Sequence, residues 1–162
     1  PSLFPLILPV GAIAGFLMYN LGVLGNQRTV FLGDNGSNAL GFMCAWILVY
    51  FSSVENSNFI PVTALWFVTI PFFDAVGVMA SRVIKGIMPL NPGRDHLHHK
   101  LLDAGLSSNT IYLVLIFISA VFAVIGYVFN HSFPTSHYIS FYTFIALWVC
   151  YYFLTRYISR HV

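Results

Sequence analysis

The sequence predicts an all-α polytopic membrane protein with about five transmembrane helices, and three observations carry that prediction. Only 7% of the 162 residues are charged, against 58% hydrophobic and 17% aromatic, with a mean hydropathy of +0.80. A soluble domain needs a polar shell that so few charges cannot build. Apolar runs near the ~18–20-residue length of a bilayer-spanning helix recur along the chain. All 7 Lys and Arg residues fall in alternate connections between those runs, the asymmetry expected when one side faces the cytoplasm.

The first run, Pro1 to Tyr19, is apolar from its first residue. Position 1 is proline rather than methionine and no signal-peptide layout precedes it. Residues 1–162 are therefore expected to be a single membrane domain, the C-terminal fragment of a longer protein. The second run, Asn38 to Phe51, is short and extends toward Val54. The third runs from Pro61 to Ala80, the fourth from Thr110 to Phe129 and the fifth from Tyr138 to Leu154. Cys44 and Cys150 lie inside apolar runs, so buried thiols are expected rather than a disulfide.

The connections alternate in character. Asn20–Ser37 holds Arg28; Ser81–Asn109 holds Arg82, Lys85, Arg94 and Lys100; the tail holds Arg156 and Arg160. Ser52–Ile60 and Asn130–His137 contain no Lys or Arg. The first set is assigned to the cytoplasm. The formal net charge of +2 comes from few, scattered bases, which gives no reason to expect a nucleic-acid partner. Ser81–Asn109 is the longest connection, and Gly86, Pro89, Pro92 and Gly93 predict a shaped loop over Ile87–Arg94.

Three places could carry chemistry. In FLGDNGS (Phe31–Ser37), Gly33 and Gly36 flank Asp34, while Ser37–Asn38 could cap the helix that follows. An acid with little steric cover at a helix start suits Mg²⁺ that keeps waters and phosphate oxygens. The plain alternative is a tight turn in which Asp34 merely caps the helix. In RDHLHH (Arg94–His99) stand three of the chain's 6 histidines. A helix there would place His96 and His99 on one face, with His98 turned elsewhere. Beside Arg94 and Lys100 they form a cationic, hydrogen-bond-donating surface that suits a diphosphate. Zinc lacks a supporting spacing, and a solvated loop is the plain alternative. Asp74 lies in an apolar span and needs a partner or a water-filled cavity, which either a helix–helix hydrogen bond or an active-site wall would supply. His131, His137 and Glu55 read as surface residues on the opposite side.

Taken in order, FLGDNGS at 31–37, PVTALW at 61–66, IPFFD at 70–74 and NPGRDHLHH at 91–99 make the chain resemble the polyprenyl-phosphate N-acetylhexosamine-1-phosphate transferases. The histidine segment is more similar to the N-acetylglucosamine-1-phosphate branch than to the muramoyl-pentapeptide branch. The resemblance implies a bacterial inner-membrane enzyme with cytoplasmic active-site loops and C-terminus. It would transfer N-acetylglucosamine 1-phosphate from UDP-N-acetylglucosamine to undecaprenyl phosphate and release UMP, starting lipid-linked cell-envelope glycan synthesis. It implies Asp34 as a Mg²⁺ ligand, with Mn²⁺ as a substitute, and Asp34, His98 and His99 as catalytic residues. It also implies Asn20, Phe31, Arg94, His96 and Asp74 as substrate-binding residues, and it is compatible with a homodimer. Asn35 stands where the family commonly has a small residue, and Gly93 stands where an aspartate often precedes the loop arginine. The family's Asp-Asp and Asn-rich Asp-Gly segments do not occur in these residues, so the chain alone is expected to be inactive. A transporter subunit using Asp34 and Asp74 for ions or protons is the main reading from another class. A structural protein with a zinc-binding histidine loop is the third.

Overall fold

A computed structural model describes residues 4–20, 30–53, 59–91, 93, 95–132 and 137–161. Among them the only regular structure is helical: α1 (Phe4–Asn20), α2 (Gly33–Ser53), α3 (Pro61–Phe67), α4 (Thr69–Ile84), α5 (Leu97–Asp103), α6 (Ser108–Ser132) and α7 (His137–His161). The all-α membrane architecture is as expected. By length and composition α6 and α7 can each cross a membrane, and α3 with α4 can do so as one span bent by 84°. The described helices thus account for two or three of the expected spans; α1 is a shorter apolar helix, and α2 opens on the polar stretch Asp34–Asn38. The chain divides into two compact units, Pro1–Pro61 and Val62–Val162, each of which is described by itself.

In the first unit α1 and α2 pack together around a groove of about 310 Å³ lined by Ile13, Phe16, Leu40 and Met43. The second expected span begins earlier than Asn38. Gly33, at φ +67°, turns the chain directly into helix, so Asp34 sits in the first turn of α2. An acid is favoured there by the exposed N–H groups of the helix start.

The expected Pro61–Ala80 span is broken at Val68. Pro71 explains the break: it has no N–H to donate to the Phe67 carbonyl, and its ring would collide with that carbonyl in a continuous helix. Thr69 compensates, its hydroxyl lying 2.8 Å from the Trp66 carbonyl and 3.2 Å from that of Leu65. The break also turns Trp66 inward. Trp66, Phe73 and Phe144 are fully buried and form the centre of the second unit, with ring centroids 5.4 Å (Trp66–Phe144) and 4.8 Å (Phe73–Phe144) apart. Such pairs contribute about 0.5–1.5 kcal/mol each beyond their buried area. The Trp66 indole N–H donates to the Ser140 hydroxyl at 3.0 Å. Gly126 lets α6 approach this cluster, because a Cβ there would overlap the Trp66 side chain.

α4 packs on α6 and α7, and so does the short α5. α4 ends at Gly86, φ +70°, where Ile87 N–H returns to the Arg82 carbonyl at 2.9 Å, a left-handed helix terminus that favours glycine. Gly105, φ +88°, ends α5 in the same way, with Leu106 N–H bonded to the Leu101 carbonyl at 3.1 Å. Cys44 and Cys150 are free, as expected, but exposed rather than buried, since they lie on outward faces of the apolar helices α2 and α7.

Candidate active site

The connection after α4 is built around one guanidinium. Arg82, in the last turn of α4, is only 7% exposed. Its Nε and Nη2 donate to Asp95 Oδ2 at 3.1 and 3.0 Å, and its Nη1 donates to the Pro89 carbonyl at 3.1 Å. Nη1 also donates to the Asn91 carbonyl. A planar cation with five donors can satisfy several loop acceptors at once, so Arg82 fixes the course of a segment that has no helix of its own. A Cβ at Gly93 would come within 2.5 Å of Arg82 Nη2, so the turn needs glycine there. Among the described residues of Ile87–Arg94 the expected absence of helix holds.

Asp74, midway along α4, fixes the far end of the same loop. Its Oδ2 lies 2.8 Å from His96 Nδ1, and its Oδ1 accepts the Leu97 N–H at 2.9 Å and the Tyr151 hydroxyl at 3.2 Å. His96 is the N-cap of α5 and has no side-chain cap bond of its own. The Asp74 carboxylate fills that role from a neighbouring helix, satisfying a donor that would otherwise be orphaned. One of the expectations for this acid, a helix–helix hydrogen bond, is present, to Tyr151 of α7, and Asp74 also lines a cavity.

The three histidines form a row. His96 and His98 stack at 5.9 Å with planes 12° apart, and His98 and His99 lie 4.2 Å apart. His98 is therefore not turned away from its neighbours as a helix through residue 96 would require; α5 begins at Leu97, which frees His96 to lean back over His98. Partial burial first, then the adjacent His99, pushes His98 below the ordinary histidine range, while Asp74 opposes the shift. His99 Nδ1 is buried without a hydrogen-bond partner. Such a group costs about 1–3 kcal/mol when left unsatisfied, which makes it a natural contact for a polar ligand.

Behind the row lies a cavity of about 280 Å³. One wall is a single face of α4, in which Asp74, Gly77, Val78, Ser81 and Lys85 recur at helical spacing. Lys100 of α5 and Tyr152, Thr155 and Arg156 of α7 close the other sides. Burial pushes the Lys100 ammonium below its usual value, against the pull of Asp74 and Asp95.

In the first unit Asp34 and Phe31 are exposed, Phe31 at 91%. The Ser37 hydroxyl does not cap the N-terminus of α2; it donates back to the Gly33 carbonyl at 3.0 Å. Asn20 closes the connection between α1 and α2: its Oδ1 accepts the Val30 N–H at 2.8 Å, and its Nδ2 donates to the Phe16 carbonyl at 3.1 Å.

The expected site residues thus fall into two groups. Asp74, His96, His98 and His99 come together in the second unit, whereas Asn20, Phe31 and Asp34 belong to the first. Arg94 and Glu55 lie outside the described residues. Among the described residues no group of three or more His, Cys, Asp or Glu could hold a metal ion. Neither Asp34 nor the histidine row is part of such a group among the described residues. Sequence reasoning missed Arg82 and Tyr151 as anchors and Lys100 and Arg156 as cavity walls. The signal was there as a polar stripe, Tyr151, Thr155 and Ser159 at four-residue spacing, on a helix otherwise apolar.

Residues 2–52 match the model of the family described as glycosyl transferase family 4. The chain is similar to the undecaprenyl-phosphate alpha-N-acetylglucosaminyl 1-phosphate transferase of Escherichia coli (strain K12), with 35% identity over 148 residues, which cover 91% of this chain and 39% of that protein. The protein of the same name from Haemophilus influenzae is 43% identical over 116 residues, 71% of this chain and 33% of that one. The one from Yersinia pestis is 37% identical over 117 residues, 72% of this chain and 32% of that one. The chain spans about two fifths of the length of the relatives it matches over most of its residues. No solved structure matches it.

Proposed function

We propose that this chain, whose residues 2–52 match glycosyl transferase family 4 and which is similar to the transferases named above, is part of a bacterial inner-membrane enzyme of that family that transfers N-acetylglucosamine 1-phosphate from UDP-N-acetylglucosamine to undecaprenyl phosphate. The observation that carries the reading is the histidine row docked by Asp74, in a chain whose similar proteins bear that activity in their names. The basic connections and the C-terminus face the cytoplasm, where a nucleotide sugar is available.

A phosphate oxygen of the lipid attacks the sugar-proximal phosphorus, the bond from that phosphorus to the bridging oxygen breaks, and UMP leaves. Positioning and charge neutralisation carry most of such a transfer. His98 and His99, with Arg94, hold the donor diphosphate; His96 is kept in register by Asp74, and Lys100 adds positive charge beside the row. Neutral imidazoles donate hydrogen bonds to phosphate oxygens without an ammonium's desolvation cost, which suits a His98 held below its ordinary range. Asn20 and Phe31 contact the uracil, Asn20 by exchanging its present bonds to Phe16 and Val30.

A divalent cation, Mg²⁺ with Mn²⁺ as substitute, would neutralise the diphosphate. Asp34 is one ligand by this reading, and the remaining ligands are supplied from outside the described residues, since these contain no complete set. An ion- or proton-coupled transporter finds less support, because Asp74 is already engaged by His96, Leu97 and Tyr151. UMP release by membranes carrying the full-length gene product tests the proposal. Release should require UDP-N-acetylglucosamine, undecaprenyl phosphate and Mg²⁺ together. Well-inserted protein that releases no UMP with any UDP-sugar would refute it.

A further inference from the structure

We propose that the cavity between α4, α5 and α7 is a phosphate site for a membrane lipid, gripped by Lys85, Lys100 and Arg156. Charge is the first argument. These three cations face one cavity of about 280 Å³, and among the described residues none of them forms an ion pair. Two carboxylates also face it, but Asp95 is bound by Arg82, and Asp74 by His96, Leu97 and Tyr151. Arg156 is pre-set by a 3.2 Å hydrogen bond to the Tyr152 hydroxyl and by its place 5.6 Å over that ring. An oxyanion would supply what the half-buried Lys100 lacks, whose burial lowers its affinity for a proton. Lys and Arg together are the usual donors to phosphate oxygens.

The position of the cations is the second argument. Along the α4 wall Asp74 stands at one end and Lys85 at the other, with Gly77, the buried Val78 and Ser81 between them, so an anionic head is drawn to the Lys85 end. α7, which forms the opposite wall and carries Arg156, is long and apolar enough to cross a membrane. A phosphate head held there can carry an apolar tail along that span, as a membrane lipid does.

The phosphate site stands on this geometry, while identifying its occupant as the reaction's own lipid acceptor rests on the transferase reading. The test therefore reads binding rather than turnover. The full-length gene product is released from phosphatidylcholine nanodiscs doped with undecaprenyl phosphate or with phosphatidylglycerol, and bound lipid is counted by native mass spectrometry. K85Q/R156Q should lose undecaprenyl phosphate about tenfold, K85R/R156K should keep it, and UDP-N-acetylglucosamine binding should not change. Equal loss of phosphatidylglycerol supports the site and gives its source as bulk anionic lipid. Undiminished lipid binding, or loss of the nucleotide sugar alone, overturns the proposal. Should K85Q/R156Q fail to fold, the exposed Lys85→Gln alone serves instead, with an expected loss of about threefold; no loss there overturns it equally.

Discussion

Asp74 Oδ1 accepts the backbone N–H of Leu97, 23 positions later in the chain, at 2.9 Å. A carboxylate in the middle of one helix thereby starts another, and the histidine row takes its position from that bond. With His96 and Tyr151 also on this carboxylate, Asp74→Ala strands three donors at once. The expected loss is about 1–3 kcal/mol, seen as a lower unfolding temperature in detergent. Asp74→Asn keeps an acceptor for Leu97 and should lose less; equal unfolding temperatures for all three proteins would contradict the anchoring role.

Arg82 and Asp95 form one ion pair but carry unequal weight. Arg82 is almost wholly buried and also holds the Pro89 and Asn91 carbonyls, whereas the Asp95 side chain is 52% exposed. Arg82→Gln is expected to cost about 2–4 kcal/mol and to open residues 86–95 to limited proteolysis. Asp95→Asn should cost under about 1 kcal/mol. Protease resistance of the Arg82→Gln loop matching the wild type would contradict the guanidinium-centred fold of this segment.

Gly126→Ala places a methyl group against Trp66 at the centre of the aromatic cluster. The backbone of α6 must then retreat, at about 1–3 kcal/mol. Thermal unfolding followed by tryptophan fluorescence checks this, and an unchanged midpoint would mean that the two helices are not in such close approach.

His98 should titrate below its ordinary value of 6.5, because partial burial and the neighbouring His99 both disfavour its charged form. On acidification the unfolded chain takes up this proton first. The contribution to stability is therefore complete above about pH 6.5 and is lost as pH falls through the folded value. His99→Ala removes one of the causes and should bring His98 back up. Histidine-selective NMR of the protein in micelles reads both; a His98 titrating above 6.5, or one unmoved by His99→Ala, would contradict the arrangement of the row.

Much of this was legible in the sequence because it depends on local chemistry. Gly86, Pro89 and Gly93 break the helix after α4 wherever they occur, and an acid such as Asp74 in an apolar run always needs a partner. Which partner is a different matter. Tyr151 lies 77 positions from Asp74 and Asp95 lies 13 from Arg82, and those separations are closed by helix packing that no local pattern encodes. The start of α2 was misplaced because Gly-Asp-Asn-Gly-Ser has the composition of a turn, while an acid in a helix's first turn is stabilised by the unpaired N–H groups there. The break at Val68 could have been read from Pro71, whose ring cannot sit four residues after a helical carbonyl without cost. Instead the apolar continuity of Pro61–Ala80 dominated the reading.

The central claim is that a sugar phosphate, and not a sugar alone, passes to the lipid. Membranes carrying the full-length gene product, or its Asp34→Asn variant, would be given undecaprenyl phosphate, Mg²⁺ and UDP-N-acetylglucosamine labelled with ³²P at the sugar-proximal phosphorus. The account predicts label in the organic extract, unlabelled UMP in the aqueous phase, and neither product from Asp34→Asn. Label that stays in the aqueous phase as UDP while the sugar enters the lipid, or full transfer by Asp34→Asn, would contradict it.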